Sequence, residues 1–502
     1  MNLMMLLEMA SAGFADRVAV SDGSTSLTYG QLFASAGAAA ARLKESGAKH
    51  LAILDTSSPA VPVALFASAW AGVPFVPLNY RLTDEELERL TSQISPALLV
   101  TDAERAGSLK GLDGIEVVER GEFMGQAASG ESLDASSWPM DPDDIAILLF
   151  TSGTTGPPKA AVIRHKHLTA YILTTVEFGL AGEEDAQLVS VPPYHIAGMA
   201  TLCSSIYAGR RIVQLPNFAA DEWLRMASGE QVTNAFVVPT MLSRIIDELG
   251  VGGVAQVPSL RAVAYGGGKM PLPVIEKAME AFPNADFTQA YGLTETSSTI
   301  AVLGPDDHRS ARGSEDPAVR KRLTSVGQPI PTVVVEIRDD EGKVLGPNEH
   351  GEIYVSGEQV SGEYLGKGSL LGTDGFFPTR DGGYLDEEGY LFLDGRQDDI
   401  IVRGGENMSP GEIEDVLLEH EAVRDVAVVG VPDEQWGEAV AAAVVLHPGA
   451  AVEAAALQAF VTERLRSSRS PSTLVFREEL PYNETGKLLR RVVREDLRGA
   501  DS

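Results

Sequence analysis

Cysteine is nearly absent. The 502-residue chain has one, Cys203, which excludes an internal disulfide framework and any cysteine cluster for zinc, and makes the cytoplasm the default compartment. Cations are scarce as well: 40 Lys and Arg face 71 Asp and Glu, a formal net charge of −31. Broad binding to nucleic acid or to an anionic membrane is therefore disfavoured. A phosphorylated substrate would have to be held locally, by loop amides, a metal ion and a few cations. Long hydrophobic runs are missing too. The longest apolar tract, residues 61–75, carries Gly72 and Pro74 and falls short of a membrane span. Residues 1–7 are apolar, but Glu8 interrupts them and no cation precedes them, so they read as a helix rather than a secretory signal. A soluble protein is expected, too long for one hydrophobic core and of a size typical of enzymes.

Helix-like and strand-like segments alternate through the first two-thirds, the pattern of α/β layers. Thr28 with Gln31, and Thr83 with Glu86, fit capping boxes in which each side chain satisfies the other's free backbone donor. Helices are expected to start there. The runs 51–54, 73–78 and 97–101 are largely apolar, as strands buried on both faces of a parallel sheet are. Between residues 326 and 393 the texture changes to short β segments split by Gly, Asp and Pro, such as 333–338 and 351–356, which predicts a smaller β subdomain. Residues 395–399 read as a polar loop. A helix over 410–420 and strands over 423–430 and 439–446 predict a compact α+β unit at the C-terminus.

The most informative segment is Leu148-Leu149-Phe150-Thr151-Ser152-Gly153-Thr154-Thr155-Gly156-Pro157-Pro158-Lys159. A buried strand runs into hydroxyls and glycines and ends in a cation. Such a loop suits phosphate, because glycine lets backbone amides approach an anion while hydroxyls and Lys159 add donors and charge. A plain surface loop after a core strand is the alternative for the segment taken alone. This segment resembles the phosphate loop of the adenylate-forming superfamily, which includes acyl- and aryl-CoA synthetases, firefly luciferase and nonribosomal adenylation domains. The resemblance continues downstream. Tyr291-Gly292-Leu293-Thr294-Glu295-Thr296 is similar to the second nucleotide motif. Gly395-Arg396-Gln397-Asp398-Asp399 with Gly404-Gly405-Glu406-Asn407 is similar to the hinge region, and Lys487 in Pro481-Tyr482-Asn483-Glu484-Thr485-Gly486-Lys487 matches the C-terminal lysine. Four motifs in order span nearly the whole chain.

The resemblance implies a large N-terminal domain of layered α/β subdomains plus a small β subdomain over residues 1–395, a hinge over 396–399, and a mobile α+β C-terminal domain over 400–502. It implies ATP, or a preformed acyl-AMP, with Mg2+ and coenzyme A. Forming an acyl adenylate brings two anions together, so charge neutralisation is the central task. Thr151 to Lys159 would hold the β and γ phosphates, Thr294 the α-phosphate, and Glu295 the Mg2+. Gly266-Gly267-Gly268 would receive adenine with Tyr291, or simply make a turn. Asp381 would bind both ribose hydroxyls and Arg396 would lie near ribose and phosphate, a surface ion pair being the other reading for Arg396. Lys487 would bridge the acid's carboxylate and the α-phosphate. Rotation about Asp398 would then replace Lys487 by the Gly404-Gly405 face, opening a tunnel for pantetheine.

His195 matches an aromatic gate beside the acyl pocket, acting as wall rather than as proton-transfer catalyst. Met199, Val238, Tyr265, Met270 and Gly292 would line the acid's site by the same resemblance, and the several glycines suggest room for a bulky, mainly apolar acid. Trp436 would lie near the nucleotide of CoA by resemblance, or simply be core; Arg81, Arg464, Arg466 and Arg469 offer charge for the CoA phosphates, or form a solvated face. Two departures stand out. Thr379-Arg380-Asp381 carries a long cation where the family commonly has glycine, so Arg380 could obstruct nucleotide binding. Ser468-Arg469-Ser470-Pro471 replaces a Lys-x-Pro pattern that touches the acceptor. The expected function is a complete acid:CoA ligase. The alternatives are thioesterification of a preformed adenylate with weak adenylation, transfer to a carrier protein, or a sensor that has lost catalysis. A monomer or homodimer is expected, with no nucleic-acid or membrane partner.

Overall fold

Helix starts are set by local side chains. Thr28 accepts from the Gln31 amide while the Gln31 side chain accepts from the Thr28 amide at 2.9 Å, opening the helix Tyr29–Ser46. Thr83 and Glu86 do the same for Asp84–Ile94, whose first turn adds Asp84 and Glu85 at the positive end of the helix dipole. The apolar 61–75 tract resolves into the helix Ala60–Ala71, buried along nearly its whole length beneath Tyr29–Ser46, and the strand Phe75–Pro77. A helix apolar all round must be enclosed on every side, and each fully buried Val, Leu or Phe there contributes about 1.5–3 kcal/mol. The N-terminal helix runs over Met4–Phe14, longer than residues 1–7, because Leu6, Leu7 and Ala10 are buried while Glu8 faces out.

The structure is a computed structural model that describes residues 1–135, 137–151, 159–404, 406–433, 435–483 and 487–498. Its described strands form four sheets. In the nine-stranded sheet, Arg211–Gln214, Ala186–Val189, Asn234–Val237, Ala262–Gly266 and Asp286–Leu293 lie side by side and parallel, while Ser298–Leu303 returns antiparallel. The eight-stranded sheet holds His50–Leu54, Phe75–Pro77, Ala97–Thr101 and Ile115–Glu119 in parallel, as their apolar runs predict. At its other end Ile145–Thr151 and Lys159–Arg164 form an antiparallel pair that brings Thr151 opposite Lys159. Glu363–Tyr364 adds to that edge through Tyr364 opposite Ala161.

The small β subdomain pairs Val334–Arg338, Gly351–Ser356, Phe377–Leu385 and Leu391–Arg396, all antiparallel. Residues 395–399 are not one loop. Leu391–Arg396 continues as strand through Gly395, and a single 3-10 turn, Gln397–Asp399, follows. The reason is register: Arg396 sits opposite Asp381, so pairing outlasts the polar composition. Beyond it, the helix Pro410–Leu418 packs on a sheet built around Val423–Asp433 and Gly437–Leu446, with Thr473–Arg477 parallel to the latter. No described helix is long and apolar enough to cross a membrane.

Candidate active site

The carboxyl ends of neighbouring parallel strands converge, as ligand sites in open α/β sheets require. Asn234–Val237 delivers Val238, Ala262–Gly266 delivers Gly267 and Gly268, and Asp286–Leu293 delivers Thr294 and Glu295. Against this edge lies the small β subdomain with Asp381, which is 8% exposed. Tyr291 donates its hydroxyl to the Asp381 carboxylate at 2.6 Å, and the Arg396 guanidinium meets the other carboxylate oxygen at 2.8 Å. Arg396 also donates to the Thr379 carbonyl at 3.2 Å. Burial, and then the Asp381 charge, push the Tyr291 phenol far above its ordinary range, so it stays protonated and donates to Asp381.

Arg380 does not enter this cluster. The strand alternates, burying Thr379 and Asp381 and turning Arg380 out to solvent. Its φ is +60°, the left-handed region that favours glycine, and its amide donates to Glu352 at 3.1 Å. The family's glycine is accounted for here by backbone conformation rather than by space for nucleotide.

Thr294, Glu295 and Thr296 form a 3-10 turn that ends in two residues at positive φ, Ser297 at +55° and Ser298 at +110°. Strain of this kind persists where the surroundings overdetermine it. The Glu295 carbonyl accepts from the Ser361 and Gly362 amides at 2.8 and 3.0 Å, and its carboxylate receives the hydroxyl of Tyr364. Thr151 hydrogen-bonds the same phenol, and the Lys159 ammonium lies 6.0 Å from the Tyr364 ring centre. Tyr364 thus joins the ends of the phosphate hairpin to Glu295. Sequence reasoning missed it, because only the pairing of Tyr364 with Ala161 brings it there. Ser152, Gly153, Thr154, Thr155 and Gly156, like Gly405, lie outside the described residues. Among the described residues no cluster of three or more His, Cys, Asp or Glu could hold a metal by itself. One carboxylate beside a phosphate-suited hairpin fits Mg2+, which keeps waters and takes its remaining oxygens from phosphates.

Lys487 arrives from the C-terminal domain. A bridge between Tyr482 and Leu488 closes its loop, and Lys487 and Asn483 exchange hydrogen bonds at 2.8 Å. Lys487 is exposed as a residue. Desolvation, then repulsion from Arg396, lower its pKa, while Asp381, Asp399 and Glu295 oppose the shift. The ammonium is therefore within electrostatic range of Arg396, Asp381 and Glu295 of the cluster just described. Arg490 braces the loop's exit, reaching Glu414 at 2.8 Å and Asp399 at 3.6 Å. Asp398 lies in the 3-10 turn beside it.

On the acid side, His195 precedes the helix Ile196–Ala208, and its ring packs on Tyr194 at 4.5 Å. Its Nε2 is sealed from solvent and finds no partner among the described residues, and burial pushes its pKa down to about 4. The ring is therefore neutral at physiological pH. A cation–aromatic chain leads outward from it, Tyr194 to Tyr80 at 5.6 Å and Tyr80 to the Arg81 guanidinium at 5.5 Å. Met199, Val238 and Met270 are buried nearby in the two largest cores. Tyr265 is fully buried, with its hydroxyl 2.8 Å from His308 and 3.3 Å from Gln289, because strand alternation sends it beneath the sheet edge. A Cβ on Gly292 would lie 1.8 Å from the Ser298 carbonyl oxygen, and one on Gly266 would lie 2.1 Å from that of Ala290. Both permit close strand approach, whereas Gly267 and Gly268 face only Val238 and Pro239 at ordinary contact distances.

In the C-terminal domain Gly404 has φ +60°, and its amide donates to the Trp436 carbonyl at 2.7 Å. A Cβ there would strike the indole at 2.9 Å, so only glycine lets Trp436 lie flat on it. The indole is 45% exposed, with the Arg403 guanidinium 5.4 Å away. Of the three nearby arginines, Arg469 is bound to Glu406 and Glu412 and Arg464 lies on the Phe460 ring, leaving Arg466 the most exposed.

Comparison with known proteins agrees with this geometry. The AMP-binding enzyme family matches residues 7–365, and the AMP-binding enzyme C-terminal domain matches residues 412–487. The chain is 35% identical to the 2-succinylbenzoate–CoA ligase of Geobacillus kaustophilus, over 95% of this chain and 94% of that protein. It is 34% identical to the fatty acid–[acyl-carrier-protein] ligase ScoC of Streptomyces coeruleorubidus, over 94% of this chain and 92% of that one. The o-succinylbenzoate CoA synthetase of Bacillus subtilis, solved with its acyl-adenylate intermediate, superposes with a TM-score of 0.83 at 30% identity, covering 97% of each chain. This chain therefore belongs to the AMP-binding enzyme family, in the adenylate-forming branch that holds the acyl- and aryl-CoA ligases.

Proposed function

We propose that the chain converts a carboxylic acid into its CoA thioester through an acyl adenylate, releasing pyrophosphate and then AMP. The observation that carries this reading is the cluster of Tyr291, Asp381 and Arg396 beside Glu295, with Lys487 of the C-terminal domain within electrostatic range of Arg396, Asp381 and Glu295. A carboxylate and a triphosphate repel each other, so cations are needed where they meet. In this reading Thr151, Ser152, Gly153, Thr154, Thr155, Gly156 and Lys159 take the β and γ phosphates, and Thr294 takes the α-phosphate. Asp381 and Arg396 hold the ribose side, while Gly266, Gly267, Gly268 and Tyr291 hold adenine. Glu295 would hold Mg2+, which supplies charge neutralisation to the phosphates. The acid's oxygen bonds to the α-phosphorus, and pyrophosphate leaves with the electron pair of the broken P–O bond. Lys487 bridges the two reactants as a point charge and transfers no proton.

The C-terminal domain then turns about Asp398, withdrawing Lys487 and bringing in Gly404 and Gly405. The CoA thiol gives up its proton to solvent, its sulfur bonds to the acyl carbon, and AMP leaves with the electrons of the acyl–oxygen bond. Trp436 and Arg81 meet the nucleotide end of CoA. His195, Met199, Val238 and Met270 enclose a bulky, mainly apolar acid, with Tyr265 bracing them from behind. Arg380 turns outward, which favours a complete ligase over one that only thioesterifies. The buried Cys203 fits a reducing cytoplasm.

A second reading replaces CoA by a carrier protein's pantetheine arm. It is favoured by the Streptomyces relative, named for an acyl-carrier-protein acceptor, and by the Ser468 to Pro471 departure. Purified protein is incubated with Mg-ATP and either CoA or a pantetheinylated carrier protein. The acids are 2-succinylbenzoate, a fatty-acid series and aryl acids, and products are read by mass spectrometry. A CoA thioester with AMP supports the first reading, acylated carrier protein alone supports the second, and neither product from any acid contradicts both.

A further inference from the structure

One lysine links the adenine-side loop to the C-terminal domain. Lys269 follows Gly266-Gly267-Gly268 and reaches the helix Pro410–Leu418, where its ammonium donates to the Gly411 carbonyl at 3.0 Å and to the Asp415 carboxylate at 2.7 Å. Gly411 is fitted to this approach, since a Cβ there would lie 3.0 Å from the Lys269 nitrogen and 3.3 Å from the Asp394 carbonyl oxygen. Ser409 adds a second crossing bond, its hydroxyl donating to that same Asp394 carbonyl. Glycine in the first turn of a helix sacrifices helix propensity, and here it admits the partner domain.

Both crossings accompany the arrangement in which the Lys487 loop faces the N-terminal domain, with its ammonium within electrostatic range of Asp381 and Glu295 and Arg490 beside it 3.6 Å from Asp399. Neither Lys269 nor Asp415 touches the cluster around Asp381, so neither is needed for the chemistry itself. A contact present in one arrangement and absent from another biases the equilibrium between them by its own differential free energy.

We propose that Lys269 is a positioning residue that selects the adenylating arrangement, acting through the placement of Lys487 and released when the domain turns. This inference rests on the proposed domain alternation. The pair is partly exposed, at 39% and 45% for the two side chains, so the bias is modest. An exposed ion pair shifts such an equilibrium by up to about fivefold, equivalent to about 1 kcal/mol. A modest bias suits a clamp that must open in every cycle.

Two arms test it on the full chain. In the first, spin labels at Lys110→Cys and Glu463→Cys, both exposed, report the distance between the domains with Cys203 left buried. The arrangement that keeps Lys269 beside Asp415 should lose about fivefold in population, relative to all others, in Lys269→Met and in Asp415→Asn, and keep it in Lys269→Arg. In the second, 2-succinylbenzoate with Mg-ATP reports adenylation, and synthetic succinylbenzoyl adenylate with CoA reports thioester formation. Adenylation should slow about fivefold in the same two variants while thioester formation holds or rises. Unchanged distances in both variants, or equal slowing of both half-reactions, would overturn the proposal. A wild-type chain that adenylates no acid would sink the ligase reading instead, and the distance arm would still decide the role of Lys269.

Discussion

Tyr291 and Asp381 come from different sheets and meet at 2.6 Å, with Arg396 on the carboxylate's other oxygen. The strand Asp286–Leu293 ends in the Thr294-Glu295 turn, and Phe377–Leu385 pairs with the strand that leads into the 3-10 turn Gln397–Asp399. One buried carboxylate therefore ties the large sheet, the β subdomain and the approach to the C-terminal domain together.

Replacing Asp381 by Asn keeps the shape and removes the charge that holds Arg396. A hydrogen bond to a charged group contributes about 1.5–3 kcal/mol, so the KM for ATP should rise by about 10- to 100-fold in acid-dependent ATP–pyrophosphate exchange. An unchanged KM would remove Asp381 from the nucleotide site.

Tyr364→Phe deletes the hydroxyl that joins Thr151 and Glu295 while leaving the ring beside Lys159. Losing a charge-assisted hydrogen bond frees the Glu295 carboxylate to rotate. The Mg2+ concentration giving half-maximal adenylation should rise severalfold with little change in thermal midpoint. A lower midpoint with unaltered Mg2+ dependence would reduce Tyr364 to a packing residue.

Arg380→Gly relieves a left-handed backbone position and leaves the buried face of the strand untouched. The gain, offset by glycine's greater freedom when unfolded, should be up to about 1 kcal/mol, visible as a raised thermal midpoint with unchanged adenylation. Faster adenylation in this variant would instead reveal a nucleotide-side role for the arginine.

Asp425 accepts from Tyr482 at 3.0 Å on both oxygens, at the base of the Lys487 loop. Burial, opposed by that bond and by the Val426 amide, pushes its pKa up to about 6. A carboxyl with a raised folded pKa adds stability that is fully present below the ordinary carboxylate range and is lost as pH rises through about 6. Amide exchange in the strand Gly437–Leu446 should therefore be slower at pH 4.5 than at pH 7.5, beyond the intrinsic effect of pH, by on the order of 2 kcal/mol of opening free energy. In Asp425→Asn that difference should vanish, and its persistence would assign the effect to another group.

Much of this was legible in the sequence. Capping boxes at Thr28 and Thr83 are local, and the apolar run that becomes Ala97–Thr101 declares a strand buried on both faces. What escaped reading is non-local. Tyr364 reaches Glu295 only through pairing with a strand some 200 positions earlier in the chain, at Ala161. The bulge beside Tyr291 that brings the Ser298 carbonyl against Gly292, and the hydrogen bond between Tyr265 and His308, are likewise set by contacts distant in sequence. Gly395 and Arg396 look like loop because composition carries no record of the register with Asp381.

The central claim is that Lys487 serves adenylation alone. Lys487→Ala should be measured in both half-reactions, pyrophosphate release from Mg-ATP with 2-succinylbenzoate and thioester formation from synthetic succinylbenzoyl adenylate with CoA. Removing one preorganised charge from the site of phosphoryl attack should cost about 100-fold or more in the first, with the second within about threefold of wild type. Equal losses in both, or a first half-reaction that survives intact, would contradict the account.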